Sequence, residues 1–424
     1  MAQPLRSARG VATQVLYRVA EGGAWAAPTL DAELRRAHLS DRDAALATAI
    51  VYGALRVLPE LDAALDTHLD RPGGLDGWTR AAMRAAAYQI RHLPRVPARA
   101  AVHEAVALVK AKRGRLGALT NAVLRKLRRP ADCAPPSRLA VPAWVADALR
   151  GSLGAARAEA FTAARTLPPP IDLRVETDRQ ALATELRAAG VNVEPGRLPT
   201  ALHTWGGGDP RRWPGYVEGR FAVQEQGAQW VGALAEAQPG ERVLDACAGR
   251  GGKTAQLARA VGPGGMVVAV DLHEARVEQI PGELERLGLG DVPLETHTID
   301  WRVGAGGLPE GSFDRIVVDA PCSGLGTIHR RPEILLRVGP REVEALARLQ
   351  AQILARVRPL LRPGGRLLYA VCSPLDAEGA EVARQVGLPL DPPAEPRPES
   401  DGGVRLGPWE DGCDGYQVFR WRDL

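Results

Sequence analysis

Two cysteines of this 424-residue chain sit where strands should end, and one of them stands beside a carboxylate. The first lies in Asp319-Ala320-Pro321-Cys322-Ser323-Gly324, directly after the apolar run 313–318. The second, Cys372, closes the run Leu367-Leu368-Tyr369-Ala370-Val371. Open α/β sheets bind ligands outside the carboxyl ends of their strands, so both thiols fall where chemistry is done. A thiolate is a strong nucleophile, and a nearby acid can orient a substrate or move a proton. By placement alone Cys322 is the first candidate nucleophile, with Asp319 as its partner. A buried cysteine is ordinarily inert core, and Cys247 fits that description. Two thiols at the mouth of one crevice do not.

A second constellation is Val243-Leu244-Asp245-Ala246-Cys247-Ala248-Gly249-Arg250-Gly251-Gly252-Lys253-Thr254. It reads as a strand, a glycine-rich turn, and a helix that starts near Lys253. Glycines there let the backbone approach a nucleotide-like ligand. Asp271, about twenty residues further on, ends the next strand and can hydrogen-bond ribose hydroxyls. Together they predict an adenosyl-cofactor pocket, and this leaves NAD and S-adenosylmethionine both open. The turn is not GxGxxG, and Lys253-Thr254 lacks the spacing of a phosphate-binding P-loop. Asp300 follows a third strand and is within reach of an adenine ring, although spacing alone slightly favours a surface acid.

Positioning these groups needs alternating strands and helices. Strands are expected at 242–246, 266–272, 294–299, 313–318 and 366–371. Leu346, Leu349, Ile353, Val357 and Leu360 form one helical face between the last two. Such alternation predicts an α/β Rossmann-like fold with a parallel, doubly wound sheet. Residues 5–130 instead carry helical spacing throughout, as in Val11, Val15, Leu16 and Val19, with Pro94 and Pro97 separating two helices. Asp41 after Ser40 is a helix start. Between these regions lie a linker at 131–141 (with Asp132, Pro135 and Pro136) and a helix from Pro142 to Thr166, stopped by Pro168-Pro169-Pro170. A small α/β module follows, with strands at 171–175 and 191–193 around a helix at 178–189. Trp205, Trp213 and Tyr216 beyond it could stack on bases, although packing is the commoner use of such rings. The expected division is 1–135 helical, 136–222 linking module, 223–424 catalytic domain.

Composition narrows the classes. Cys133, Cys247, Cys322, Cys372 and Cys413 are odd in number and form no CxxC pair, which argues against a disulfide framework and a structural zinc site; no metal is expected. No run of about eighteen apolar residues exists, so the expectation is a cytoplasmic protein with no membrane partner. The net charge of +4 hides an asymmetry: residues 1–130 hold 21 Lys and Arg against 11 Asp and Glu. Within them Lys110, Lys112, Arg113, Arg115, Arg125, Lys126, Arg128 and Arg129 cluster without an acid between. A basic first third suggests a polyanionic partner, with a solvated helix face as the plain alternative.

Segments 245–254, 319–334 and 369–373, with Arg405-Leu406 and Asp414-Gly415-Tyr416, together resemble the Sun (RsmB) type of bacterial rRNA cytosine-C5 methyltransferase, in the wider NOL1/NOP2/Sun family. The resemblance covers nearly the whole chain. Ile50-Val51-Tyr52-Gly53, Tyr88-Gln89 and Asn121-Ala122-Val123-Leu124-Arg125 are similar to the NusB-type RNA-binding domain. The resemblance implies S-adenosylmethionine as cofactor, lined by Cys247, Ala248, Gly249, Arg250, Gly251, Gly252 and Lys253. By it, Asp271 holds the ribose, Asp300 the adenine, and Asp319 touches both cofactor and cytosine. It also reverses the thiols. Pro-Cys is the nucleophile's context in DNA cytosine-C5 enzymes, but in this RNA family the residue matching Cys372 attacks and that matching Cys322 assists release. The implied partner is RNA, namely 16S rRNA in a naked or partly assembled form, with no obligate protein partner. The basic cluster, Arg330 and Arg331 would contact it. Departures from the family pattern are Gly249-Arg250 for Ala-Pro, Val371 for Thr, Asp376 for Pro and Gly379 for Asn, and a shuffled His329-Arg330-Arg331-Pro332-Glu333. None removes a catalytic group. Two alternatives stand beside this reading: a tRNA cytosine-C5 methyltransferase, and a non-catalytic RNA-binding assembly factor. Tritium transfer from labelled cofactor separates the last from an enzyme.

Overall fold

A computed structural model describes residues 3–131, 133–134, 138–163 and 169–423. Asp132, Pro135 and Pro136 of the expected linker, and Thr166 and Pro168 at the end of the expected helix, lie outside them. The chain forms two compact units. One comprises Met1–Ala146, Thr162–Pro169 and Ile328–Arg337; the other comprises Asp147–Phe161, Pro170–Thr327 and Val338–Leu424.

The first unit is helical, as the spacing predicts. Its main helices are α1 (Ala8–Ala20), α2 (Ala26–Ala37), α3 (Asp41–Arg56), α4 (Leu58–Asp66), α5 (Gly77–His92), α6 (Ala98–Arg113) and α7 (Gly117–Lys126). Ser40 starts α3 by accepting from the Asp43 amide at 3.2 Å, and Asp76 starts α5 by accepting from Thr79 at 3.2 Å. Val11, Val15, Ile50, Leu61, Met83 and Ile90 meet in its core. Each fully buried side chain of this size contributes about 1.5–3 kcal/mol. At Gly53 the chain has no room to spare: an added Cβ would lie 2.0 Å from Cζ of Tyr88, a buried ring on α5.

α8 (Ala143–Thr162) is two helices joined at a break, Gly154, whose φ is +75°. In the second unit β1 (Ile171–Val175), α9 (Arg179–Ala188), β2 (Val191–Pro195), β3 (Ala201–Gly206) and β4 (Phe221–Val223) build an antiparallel sheet ordered β2-β3-β1-β4. The sequence reading names only two of these strands, because Gly206-Gly207-Gly208 hides β3, the strand that carries Trp205. The aromatic residues here pack. Trp213 is buried and donates its Nε1 proton to the Gly207 carbonyl at 2.7 Å. Tyr216 lies edge-on to Phe221 and under the Arg286 guanidinium.

The larger sheet follows α10 (Gln226–Leu234). Its elements are β5 (Arg242–Asp245), α11 (Gly252–Val261), β6 (Met266–Asp271), α12 (Glu274–Val277), α13 (Ile280–Arg286), β7 (Leu294–Thr298), β8 (Phe313–Asp319), α14 (Pro340–Val357), β9 (Leu361–Val371), α15 (Ala380–Ala383), β10 (Val404–Leu406) and β11 (Tyr416–Arg422). The order is β10-β11-β9-β8-β5-β6-β7. Alternate residues feed two core layers: Val243, Val267, Val317 and Leu368 on one face, Leu244, Val268, Ile316 and Leu367 on the other. The five strands from β9 to β7 are parallel as expected, but β11 runs antiparallel to β9, and β10 to β11. The sheet is therefore mixed. The two added strands were illegible because buried Gln417 and Arg420 interrupt the apolar pattern of β11; Arg420 is held there by Glu236.

Replacing Gly53 by Ala should destabilise the helical unit by about 1–2 kcal/mol, since overpacking against Tyr88 outweighs the helix preference of Ala. Thermal unfolding followed by circular dichroism would register the loss.

Candidate active site

The strand order turns back at β5, whose neighbours are β8 and β6. A crevice opens at that reversal, outside the carboxyl ends of the strands. Asp245, Asp271 and Asp319 end β5, β6 and β8, and Cys372 directly follows β9. One cavity of about 270 Å³ is lined by Cys247, Gly249, Asp271, Asp300 and Asp319, five of the residues singled out in the sequence. Arg250 and Gly252 instead face a neighbouring cleft beside Arg174 and Tyr216.

The glycine turn is built for close approach. Gly249 and Gly251 have φ of +59° and +87°, which side-chain-bearing residues rarely adopt, and nothing lies within 4 Å of where a Gly249 Cβ would stand. Asp271 accepts from the Gly249 amide at 3.0 Å and from the His273 amide at 2.9 Å. Asp245, fully buried, accepts from the Thr254 hydroxyl at 2.7 Å and so ties β5 to the start of α11. Its Oδ1 has no partner among the described residues, and burial raises the carboxyl to about 6. Arg174, buried in β1, donates to the Gly252 carbonyl at 2.7 Å and braces the turn. Trp301 donates from Nε1 to the Ala246 carbonyl at 2.8 Å and walls the cavity. Nothing in the local sequence announces either residue. Asp300 borders the cavity, yet Arg302 grips it through both oxygens and holds it below the usual carboxylate range.

The thiols come together. Cys322 Sγ and Cys372 Sγ lie 3.2 Å apart, both half-buried. The hydrogen bond to Cys372, then burial, then the charges of Glu378 and Asp319 push the Cys322 thiol well above its ordinary value. Burial and the surrounding carboxylates do the same to Cys247, which leaves it a poor nucleophile. Lys253 does not join the cavity wall; its ammonium reaches Asp319 at 2.5 Å. Burial pushes that ammonium down, but Asp319 and Asp245 outweigh it and the net shift is upward.

The loop that carries Cys322 is pinned by a residue far along the chain. Glu378, fully buried, accepts from the Ser323 amide at 2.7 Å and from the Ser323 hydroxyl. Gln350 donates to the Pro321 carbonyl at 3.0 Å and to Glu378 at 3.2 Å. Gly326 donates to the Cys372 carbonyl at 2.9 Å, and an added Cβ there would lie 1.9 Å from the Gly415 carbonyl oxygen. That close approach accounts for glycine at both positions.

The predicted RNA contacts lie in the helical unit. Lys110, Lys112, Arg113, Arg115, Arg125, Lys126 and Arg128 are exposed there, with Lys112 stacked on Trp78 and Arg113 facing Asp76. Arg129 is exposed too, but its guanidinium donates to the carbonyls of Ile90 and Pro94 at 3.1 and 2.9 Å and also to Val96, closing the turn between α5 and α6. Its donors are spent on the fold. Arg330 and Arg331 belong to the 328–337 segment of the same unit.

A parallel five-stranded core, a glycine turn leading into α11, and an acid ending β6 define a Rossmann-like methyltransferase fold. Residues 233–387 match the family model of 16S rRNA methyltransferase RsmB/F, and residues 6–129 match that of the NusB family. The probable ribosomal RNA small subunit methyltransferase B of Bacillus subtilis is 31% identical, over 98% of both chains. Ribosomal RNA small subunit methyltransferase B of Pseudomonas putida is 34% identical over 96% of each. Among solved structures, a methyltransferase homolog protein from Pyrococcus horikoshii is 25% identical with a TM-score of 0.56, over 66% of this chain and 94% of that one. PH0851, 23% identical, shares the fold over 97% of this chain and 98% of its own, with a TM-score of 0.81. The chain belongs to the RsmB/F family. It is a methyltransferase that uses S-adenosylmethionine. The cavity fits that cofactor: Asp271, Asp300 and Asp319 suit a ligand bearing ammonium and sulfonium charge, and the open turn at Gly249 leaves room for it.

Asp245→Asn keeps an acceptor for Thr254 and removes a buried charge. Because the folded carboxyl titrates near 6 rather than 3.8, its stability contribution is greatest at low pH and is lost as pH rises through about 6. The variant should be about 3 kcal/mol more stable than the parent at pH 8, and the difference should vanish toward pH 4. Urea unfolding at several pH values would test this.

Proposed function

We propose that this enzyme methylates C5 of a cytosine in 16S rRNA through a covalent adduct at C6, with Cys372 as nucleophile. The observation that carries the reading is the pair of thiols 3.2 Å apart beside the Lys253–Asp319 ion pair. The name and function of the relatives support the rRNA substrate. Residues 1–135 would dock RNA, 136–222 position it, and 223–424 carry the reaction.

C5 of cytosine is a poor nucleophile while the ring is conjugated. Cys372 thiolate forms a bond to C6, which breaks that conjugation and puts electron density on C5. Asp319, held by Lys253, would accept from the exocyclic amino group and so orient the ring, while the paired Lys253 ammonium offsets the negative charge that develops on it. S-adenosylmethionine supplies the electrophilic methyl group that C5 accepts. A solvent water that enters the crevice takes the C5 proton, and the electron pair of that C–H bond restores the C5–C6 double bond and expels the Cys372 thiolate. Cys322, held as a neutral thiol by its surroundings and within hydrogen-bond reach of the Cys372 sulfur, assists that release by giving it a proton. The ribose falls to Asp271, and the adenine edge to Asp300 if Arg302 shares it. The target base must leave its stack to reach the crevice, so it is unpaired or flipped out.

Denaturing gels with substrate RNA distinguish the two thiols. Cys372→Ala should form no RNA–protein adduct, whereas Cys322→Ala should trap one; the reverse pattern sinks the assignment. Bisulfite sequencing of the methylated RNA would identify the nucleotide. For RNA docking, replacing Arg125, Lys126 and Arg128 together by Ala should reduce the salt slope of binding by about 2, at roughly 0.7 per lost phosphate contact. An unchanged slope would move the interface elsewhere.

A further inference from the structure

Tyr416 opens β11, and the pairing of that strand sets it beside Cys372. Gln417 lies opposite Val371 of β9, so Tyr416 lies opposite Cys372, the next residue along. Residues directly opposite in an antiparallel pair share a face, with Cβ atoms about 4.5–5.5 Å apart. The packing agrees: Tyr416, Val418 and Ala370 belong to one apolar layer, and Cys372 packs against it. Leu406 of β10 pairs with Tyr416 on its other side, and α10 covers the ring. A Cβ added at Gly227 of that helix would stand 2.6 Å from two ring carbons. The ring therefore has one place to lie.

A tyrosine buried this deeply usually finds a partner for its hydroxyl. Tyr416 is only 7% exposed, yet its hydroxyl makes no hydrogen bond to any described residue. Glu225, whose charge bears on it, spends one oxygen on the Ala228 amide at 3.1 Å and the other on the Asp414 amide at 2.9 Å. Burial, then the charges of Glu225, Cys372, Asp319 and Asp414, push the hydroxyl well above its ordinary value, so it stays a donor. The groups around Cys372 are thus the Cys322 thiol after β8, Asp319 at the end of β8, the Lys253 ammonium on α11, and Tyr416 with Glu225 behind it. A neutral thiol is a weak acceptor. A thiolate is a strong one, because hydrogen bonds to an ionised group are roughly twice as strong as neutral ones. An unspent donor at this place therefore acts most where the negative charge forms.

We propose that Tyr416 is a catalytic residue of the methyl transfer: its hydroxyl donates a hydrogen bond to the Cys372 sulfur and holds it as the thiolate that attacks C6. Lys253 is committed to Asp319, and the tyrosine is the neutral donor left for the sulfur. This rests on the reading of Cys372 as the nucleophile.

Full-length Tyr416→Phe removes one oxygen and keeps the ring against Gly227, so it tests the hydroxyl alone. Free enzyme is alkylated with iodoacetamide across a pH series, and the peptide carrying Cys372 is followed by mass spectrometry. The pH midpoint for that peptide should rise by about one unit, the size expected for one lost hydrogen bond to a charged group. In a Cys322→Ala background, which holds the RNA adduct, Tyr416→Phe should form it about tenfold more slowly at pH 7. The two rates should converge as the pH rises past the higher midpoint, and RNA affinity by filter binding should stay unchanged. An unmoved midpoint overturns the proposal even where turnover falls, because a purely structural role would slow the reaction at every pH alike. A moved midpoint with an unchanged adduct rate overturns it too. If Cys372→Ala still forms the adduct, or Cys322→Ala traps none, the assignment of the thiols fails. The alkylation midpoint then decides by itself whether Tyr416 acts on this sulfur.

Discussion

Two sulfur atoms 3.2 Å apart, each following a different strand, must be kept together by the structure around them. The Cys372 side is simple, because Cys372 directly follows a buried central strand. The Cys322 side is a loop, and what holds it is one buried carboxylate. Glu378 takes the Ser323 amide and hydroxyl and the Gln350 amide, and the Tyr369 hydroxyl donates to Gln350 at 3.0 Å. In a low-dielectric interior such a network stabilises only when every member is satisfied. The loop therefore has one favourable position rather than several. Gly326 and Gly415 add a steric condition of the same kind, since any side chain at Gly326 would strike the Gly415 carbonyl.

Charge is arranged around this geometry. Asp245, Asp271 and Asp319 end neighbouring strands and raise the cost of forming thiolates nearby. Lys253 offsets part of that negative field and is itself kept protonated by it. An acidic crevice of this type disfavours an anionic cofactor and favours one that brings positive charge. It also distinguishes the thiols: Cys322, hydrogen-bonded and facing two carboxylates, is held neutral beside its partner.

Much of this was legible in the sequence. Asp271, Asp319 and Cys372 were all expected at strand ends, and each is found there. Ser40 and the Pro94 to Pro97 stretch delimited helices as anticipated. The failures have particular causes. β3 was hidden by its trailing glycines, and β11 by buried Gln417 and Arg420. Arg129 read as one more basic surface residue because nothing nearby in the chain reveals that carbonyls 33 to 39 residues earlier occupy it.

By itself, the sequence determined which residues end which strands, because period-two burial and glycine turns are local properties of the chain. It also determined the helical character of the first unit and the presence of both thiols and their acid. Only the tertiary structure decided that the thiols touch, that Lys253 serves Asp319, and that Glu378 reaches back 55 residues to Ser323. It alone decided that Glu333 caps a helix 307 positions earlier. Those contacts depend on how separate elements pack, and no periodicity within one element encodes them.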